Sequence, residues 1–278
     1  MGSVNINEQK QAFMAEVSGT RKNVLDAAGK WRLKNDEVYT AAVKLGYLDM
    51  CRTCHGIGAK VSAVQREESF KKLGGKIKGL LNDSSIDSQE AFDAKHKELC
   101  NEYMDLLKKY GYAIKYGQAQ KVVNMAFKYL FCCEDASSKP AFKYCHMPLD
   151  GLIMNWCKDW CKKEYKISVN SDKDAWSKLT EEKYTEITNA IFKKLKSRDV
   201  KYSIGENDES KLSVIPLEAE LVIWREEARK KTTKELLKQL EKACKDDYFK
   251  NNLKKEEHDK MKQALEEILK RSSALYSN

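Results

Sequence analysis

Apolar residues recur three and four positions apart along most of this chain, a period that predicts amphipathic helices rather than strands. A first helix is expected over residues 8–30, and a second from Asp36, a capping residue, through Met50. Val61–Leu81 reads as a third helix, weakened by Gly74 and Gly75. The run DSSIDS at 83–88 punctuates the chain before a fourth. There Phe92, His96, Leu99, Cys100, Tyr103, Leu106 and Leu107 keep the spacing of a buried stripe. Gly111 and Gly117 bracket a short tyrosine-rich link. Beyond it, Gln118–Cys132 is apolar around most of its circumference and leaves a narrow strip of Lys121, Asn124 and Lys128. Such a helix belongs in the interior, with its one polar strip facing water or a cleft.

Residues 134–147 read as a loop, and Pro148 or Asp150 starts the helix DGLIMNWCKDWC. KISVNS reads as a short extended turn, Trp176–Lys196 as another amphipathic helix, and 199–215 as polar and irregular. After Pro216, residues 217–247 and 255–271 form a longer and a shorter helical pattern, fitting an antiparallel hairpin that turns near Asp246–Asn252. No strand pattern is strong enough to build a sheet, and no repeat is evident. The expectation is an all-α, multi-helix globular bundle of about eight or nine helices with a C-terminal helical hairpin. A core domain is expected over 1–215, with C-terminal helices 216–278 packed on it.

Composition narrows the setting. At 278 residues the chain can bury a substantial core. The net charge of +9 comes mainly from lysine, and most charges alternate in sign, as on a solvated helix surface. No apolar run reaches membrane-spanning length, so no membrane partner is expected. The opening MGSVNINEQKQ lacks the apolar run of a signal peptide. Nine cysteines, an odd number, then favour a reducing compartment, and the cytoplasm is the expected location.

The strongest local signal for chemistry is Lys108–Lys128, which holds five lysines and no acid. Tyr112, Tyr116, Gln118, Lys121, Asn124 and Lys128 are the expected ligand contacts. Lysines would neutralise phosphate, tyrosines would stack on bases, and the free N–H groups of a helix start would favour an anion. The expected function is therefore binding of nucleic acid or another phosphate-rich ligand. A first alternative is a phosphate-ester hydrolase in which His146 carries the proton and Asp150 orients its imidazole. A second is a helical scaffold that binds a protein partner through the C-terminal helices. The CRTCHG run at 51–56 matches a haem-attachment spacing, and Cys145, His146, Cys157 and Cys161 could donate to zinc. No paired CxxC run completes a finger, so neither a metal nor a cofactor is expected. Neither a phosphate-binding GxxxxGK[ST] loop nor a GxGxxG run occurs.

Overall fold

The computed structural model describes residues 5–18, 33, 36–52, 60–132, 139–169, 175–197, 201–205, 208–245, 260 and 263. Among these residues the architecture is all-α apart from one short ribbon. Helices run as α1 Ile6–Ser18, α2 Glu37–Cys51, α3 Ala63–Asn82, α4 Gln89–Lys109, α5 Tyr116–Phe131, α6 Gly151–Tyr165, α7 Glu181–Lys196 and α8 Pro216–Lys245. Two compact units are formed, Met1–Trp224 and Arg225–Asn278. The second helix of the expected hairpin, 255–271, lies outside the described residues apart from single positions, as does the second half of the expected first helix. No helix among the described residues is long and apolar enough to cross a membrane.

The helix starts follow from side chains that satisfy otherwise unpaired backbone N–H groups. The Ser62 hydroxyl accepts from Gln65 N–H while the Gln65 side chain accepts from Ser62 N–H, a reciprocal box that opens α3. Ser88 accepts from Ala91 N–H at the head of α4, and Thr180 from Lys183 N–H at the head of α7. That last cap divides what the periodicity predicts as one helix over 176–196. A single 3₁₀ turn, Trp176–Lys178, comes first, and α7 begins only after Thr180.

The exception to all-helical structure is an antiparallel ribbon, β1 Lys201–Gly205 with β2 Asp208–Lys211, whose register slips between Ser203 and Gly205. It falls where the sequence reads as irregular. Strands of five and four residues are too short for alternation to stand out.

The core is built around α5. Every residue of this helix except Gln118 is buried. It packs most extensively on α2 and also meets α4, α7 and the Trp176–Lys178 turn. Close approach depends on glycine, most acutely at Gly117. A Cβ on Gly117 would stand 1.9 Å from the carbonyl oxygen of Trp176 and 3.0 Å from Leu179 N, both backbone atoms with little freedom to retreat. Gly117→Ala is therefore expected to cost about 3 kcal/mol through overpacking. A lowered urea midpoint at unchanged m-value would register it. An unchanged midpoint would show that the contact is not tight.

Candidate functional site

Lys121, Asn124, His146 and Asp150 converge, but on a largely buried seam rather than an open surface. The segment Cys145–Asp150 runs along α5 and is clamped to it by the polar strip of that helix. Gln120 Nε2 donates to the carbonyl of Leu149 (2.9 Å), and its Oε1 accepts from Leu149 N–H (3.3 Å). Asn124 Nδ2 reaches Gln120 Oε1, the Met147 carbonyl and the Tyr184 hydroxyl at 3.0, 3.2 and 2.9 Å. Asn124 Oδ1 in turn accepts from His96 Nε2 at 2.7 Å. Asn124, expected as a ligand contact, is thus spent on protein groups.

One end of the seam is ionic. Lys121 Nζ donates to Asp150 Oδ2 at 2.8 Å, and Trp224 Nε1 donates to the same oxygen at 3.2 Å. The other carboxylate oxygen, Oδ1, accepts from the N–H groups of Leu152 and Ile153, so Asp150 caps α6. Deeper still, Lys128 Nζ lies 2.6 Å from Glu220 Oε2 of α8, with side chains 2% and 0% exposed. The Phe13 ring lies 4.1 Å from the same ammonium, in cation–π geometry. Burial raises the Asp150 carboxyl, but the Lys121 charge and hydrogen bond outweigh it and hold the pKa below the usual range. For Glu220 burial wins over Lys128, and the carboxyl is pushed up.

The other end is aromatic. His146 pairs with Asp93 of α4, not with Asp150: Nε2 lies 2.8 Å from Asp93 Oδ1, and Nδ1 lies 2.7 Å from the Tyr184 hydroxyl. A carboxylate can only accept, so Nε2–H donates to Asp93. Burial, then repulsion from His146, drives the His96 pKa well below its ordinary value, so His96 is neutral at pH 7. Burial works against the Asp93 carboxylate, yet the His146 hydrogen bond holds its pKa below the usual range. Asp93, Tyr184 and Gln120 carried no sequence signal. Asp93 and Tyr184 lie 53 and 38 residues from His146 in the chain.

The remaining expected contacts are scattered. Tyr116 is buried against Tyr184, with ring centroids 5.4 Å apart. Tyr112 is half-buried beside the Lys60 ammonium. Gln118 turns back to accept from Lys115 N–H, and Gly117 N–H is taken by the Leu179 carbonyl. The expected anion site at the start of α5 is therefore occupied by protein.

A second polar feature lies at the surface. Glu164 accepts from Lys194 at 2.7 and 2.9 Å, joining the last turn of α6 to the last turn of α7. Those turns and the residue closing α6 carry Lys162, Lys163, Lys166, Lys193, Lys194 and Lys196 against the single acid Glu164. Beside them on α6, the half-buried rings of Trp156, Trp160 and Tyr165 form a ladder with centroids 5.1 and 6.0 Å apart.

Cys100, Cys145, Cys157 and Cys161 are buried free thiols. No group of three His, Cys, Asp or Glu residues among the described residues could hold a metal ion. Most of the CRTCHG run lies outside them. No protein-family model, curated protein or solved structure matches this chain at a significant level.

Proposed function

We propose that this chain binds a phosphate-rich polymer, in the first instance single-stranded nucleic acid, on the joined ends of α6 and α7. What carries the reading is the Glu164–Lys194 bridge, which gathers six lysines with one acid beside an aromatic ladder. Such lysines complement the helix dipoles in the free protein, and they release condensed counterions when phosphates replace water. Trp160 and Tyr165 are half-buried, and the ring surface they leave to solvent is of the kind on which unpaired bases stack. Lys121 and Lys128 do not share this role, because each is consumed by a carboxylate. The hydrolase alternative has weaker support, since Asp150 serves Lys121 and the head of α6 while the acid on His146 is Asp93.

Titrating a short single-stranded oligonucleotide at two salt concentrations tests the proposal. Affinity is expected to fall steeply with salt, by about 0.7 in the log–log slope for each phosphate contacted. The variant Lys162→Ala/Lys163→Ala/Lys193→Ala/Lys196→Ala is expected to flatten that slope by about 2 to 3 and to weaken binding at least tenfold. Unchanged binding by this variant would end the proposal. A loss produced instead by Lys108→Ala/Lys109→Ala would move the contact surface to the end of α4.

A further inference from the structure

Where the aromatic end of the seam meets solvent, a recess of about 230 Å³ opens between α4 and α7. Its floor is buried: His96, Tyr116, His146, Tyr184 and Thr188. Asp93, Lys97 and Glu181 stand around it. This recess is separate from the lysine surface, and three of its properties select an occupant.

The first is an acceptor left over. Asp93 Oδ1 takes hydrogen bonds from both His146 and Gln89, whereas Oδ2 has no partner among the described residues, on a side chain 34% exposed. The second is an unsatisfied hydroxyl. Thr188 Oγ1 is buried, close enough to Tyr184 to be felt by its phenol, yet makes no hydrogen bond of acceptable geometry. Buried polar atoms in this condition are uncommon and are costly unless a ligand completes them. The third is the sign of the charge. Lys97 is held by Glu181 at 2.5 Å. His96 is neutral, because burial drives its pKa well below the ordinary value. Among the carboxylates and ammonium groups of the lining, Asp93 and Glu181 against Lys97 leave one net negative charge.

We propose that the recess binds a compact organic ammonium ion, a primary amine on a short carbon chain, with Asp93 as its counter-ion and the Thr188 hydroxyl as a second acceptor. The chemistry matches donor to acceptor. An ammonium group offers three N–H donors and no acceptor, and the recess presents oxygen acceptors that lack donors. The carbon chain would lie against the Tyr116 and Tyr184 rings, whose faces also attract a cation. An anion of the same shape would meet the Asp93 carboxylate, and a neutral alcohol would forgo the charge-assisted bond. The volume is below the roughly 300–1,000 Å³ of sites for drug-sized molecules, which limits the ligand to a small one.

The test uses three probes of one shape and different charge, propylammonium, 1-propanol and propionate, at matched ionic strength. Binding is read from the imidazole signals of His96 and His146 by nuclear magnetic resonance. Propylammonium is expected to shift both signals saturably. Propanol should bind about tenfold more weakly, the ratio of a charge-assisted to a neutral hydrogen bond, and propionate should give no saturable shift. Asp93→Asn is expected to lower propylammonium affinity about tenfold or more. Thr188→Val should lower it about threefold. Because this change removes an unsatisfied hydroxyl, it should leave the thermal midpoint equal or higher, which separates lost binding from lost folding. Equal responses to all three probes would overturn the proposal. So would undiminished propylammonium affinity in both variants.

Discussion

Replacing Lys128 with methionine is expected to remove about 3–5 kcal/mol of folding stability, because it strands Glu220 as an unpaired charge in a fully buried position. The double variant Lys128→Met/Glu220→Leu should regain most of that loss and can exceed the parent, since two apolar side chains carry no desolvation penalty. Urea unfolding of the parent, both single variants and the double variant closes a thermodynamic cycle. A loss below about 1 kcal/mol for Lys128→Met would mean that solvent reaches Glu220 and that the pair is not interior.

The same substitution carries a pH signature. Burial raises the Glu220 carboxyl in the folded state, and Lys128 opposes that rise. The folded chain then holds the proton more tightly than the unfolded chain, so this residue lowers stability as pH climbs above the ordinary glutamate range near 4.3. Removing Lys128 deletes the opposing influence and widens that window. The deficit of Lys128→Met relative to the parent should be smallest near pH 4 and should grow toward pH 7.

These residues also show how far local sequence carries. The interior position of α5 was legible because Val122, Val123, Met125, Ala126, Phe127, Tyr129 and Leu130 surround its axis, and all are buried. The starts of α4 and α6 were legible because Ser88 and Asp150 are capping types standing before periodic segments. The fate of the polar strip was not. Lys121 and Lys128 look solvent-directed when only α5 is considered, since the carboxylates that accept them arrive from the head of α6 and from α8. Local proximity suggested Asp150 as the partner of His146. As the N-cap, however, Asp150 commits Oδ1 to the first turn of α6, and its Oδ2 is taken by Lys121 and Trp224. Asp93 lies on the α4 helix, and only the packing of α4 beside the 145–150 segment brings it to the imidazole. The break before α7 left a trace in Thr180 and the two glutamates after it, outweighed by the continuous apolar period on either side.

Asp150→Ala is the second substitution expected to have a large effect, about 3–5 kcal/mol, and comparison with Glu220 explains why its pH signature has the opposite sign. Glu220 is fully buried and Asp150 is 15% exposed, and both face a lysine, but Asp150 also accepts two backbone N–H groups and the Trp224 indole, whereas Glu220 depends on Lys128. The Lys121 charge and hydrogen bond act on the charged form, with the Ile153 N–H adding to them, and hold the Asp150 pKa below its unfolded value despite burial. Its contribution is therefore complete above the unfolded pKa, near 3.9, and is lost as pH falls through the folded value. Asp150→Asn separates the two parts of its role. Asparagine can still cap α6 through its side-chain oxygen but cannot neutralise Lys121, so it should retain the cap contribution of about 1 kcal/mol and lose the ion pair. Urea midpoints measured from pH 2.5 to 7 should show parent and Asp150→Asn converging as the pH drops, with Asp150→Ala remaining lower throughout. Parallel curves for parent and Asp150→Asn would mean that the carboxylate charge contributes nothing. The clamp of the 145–150 segment on α5 would then rest on Gln120 and Asn124 alone.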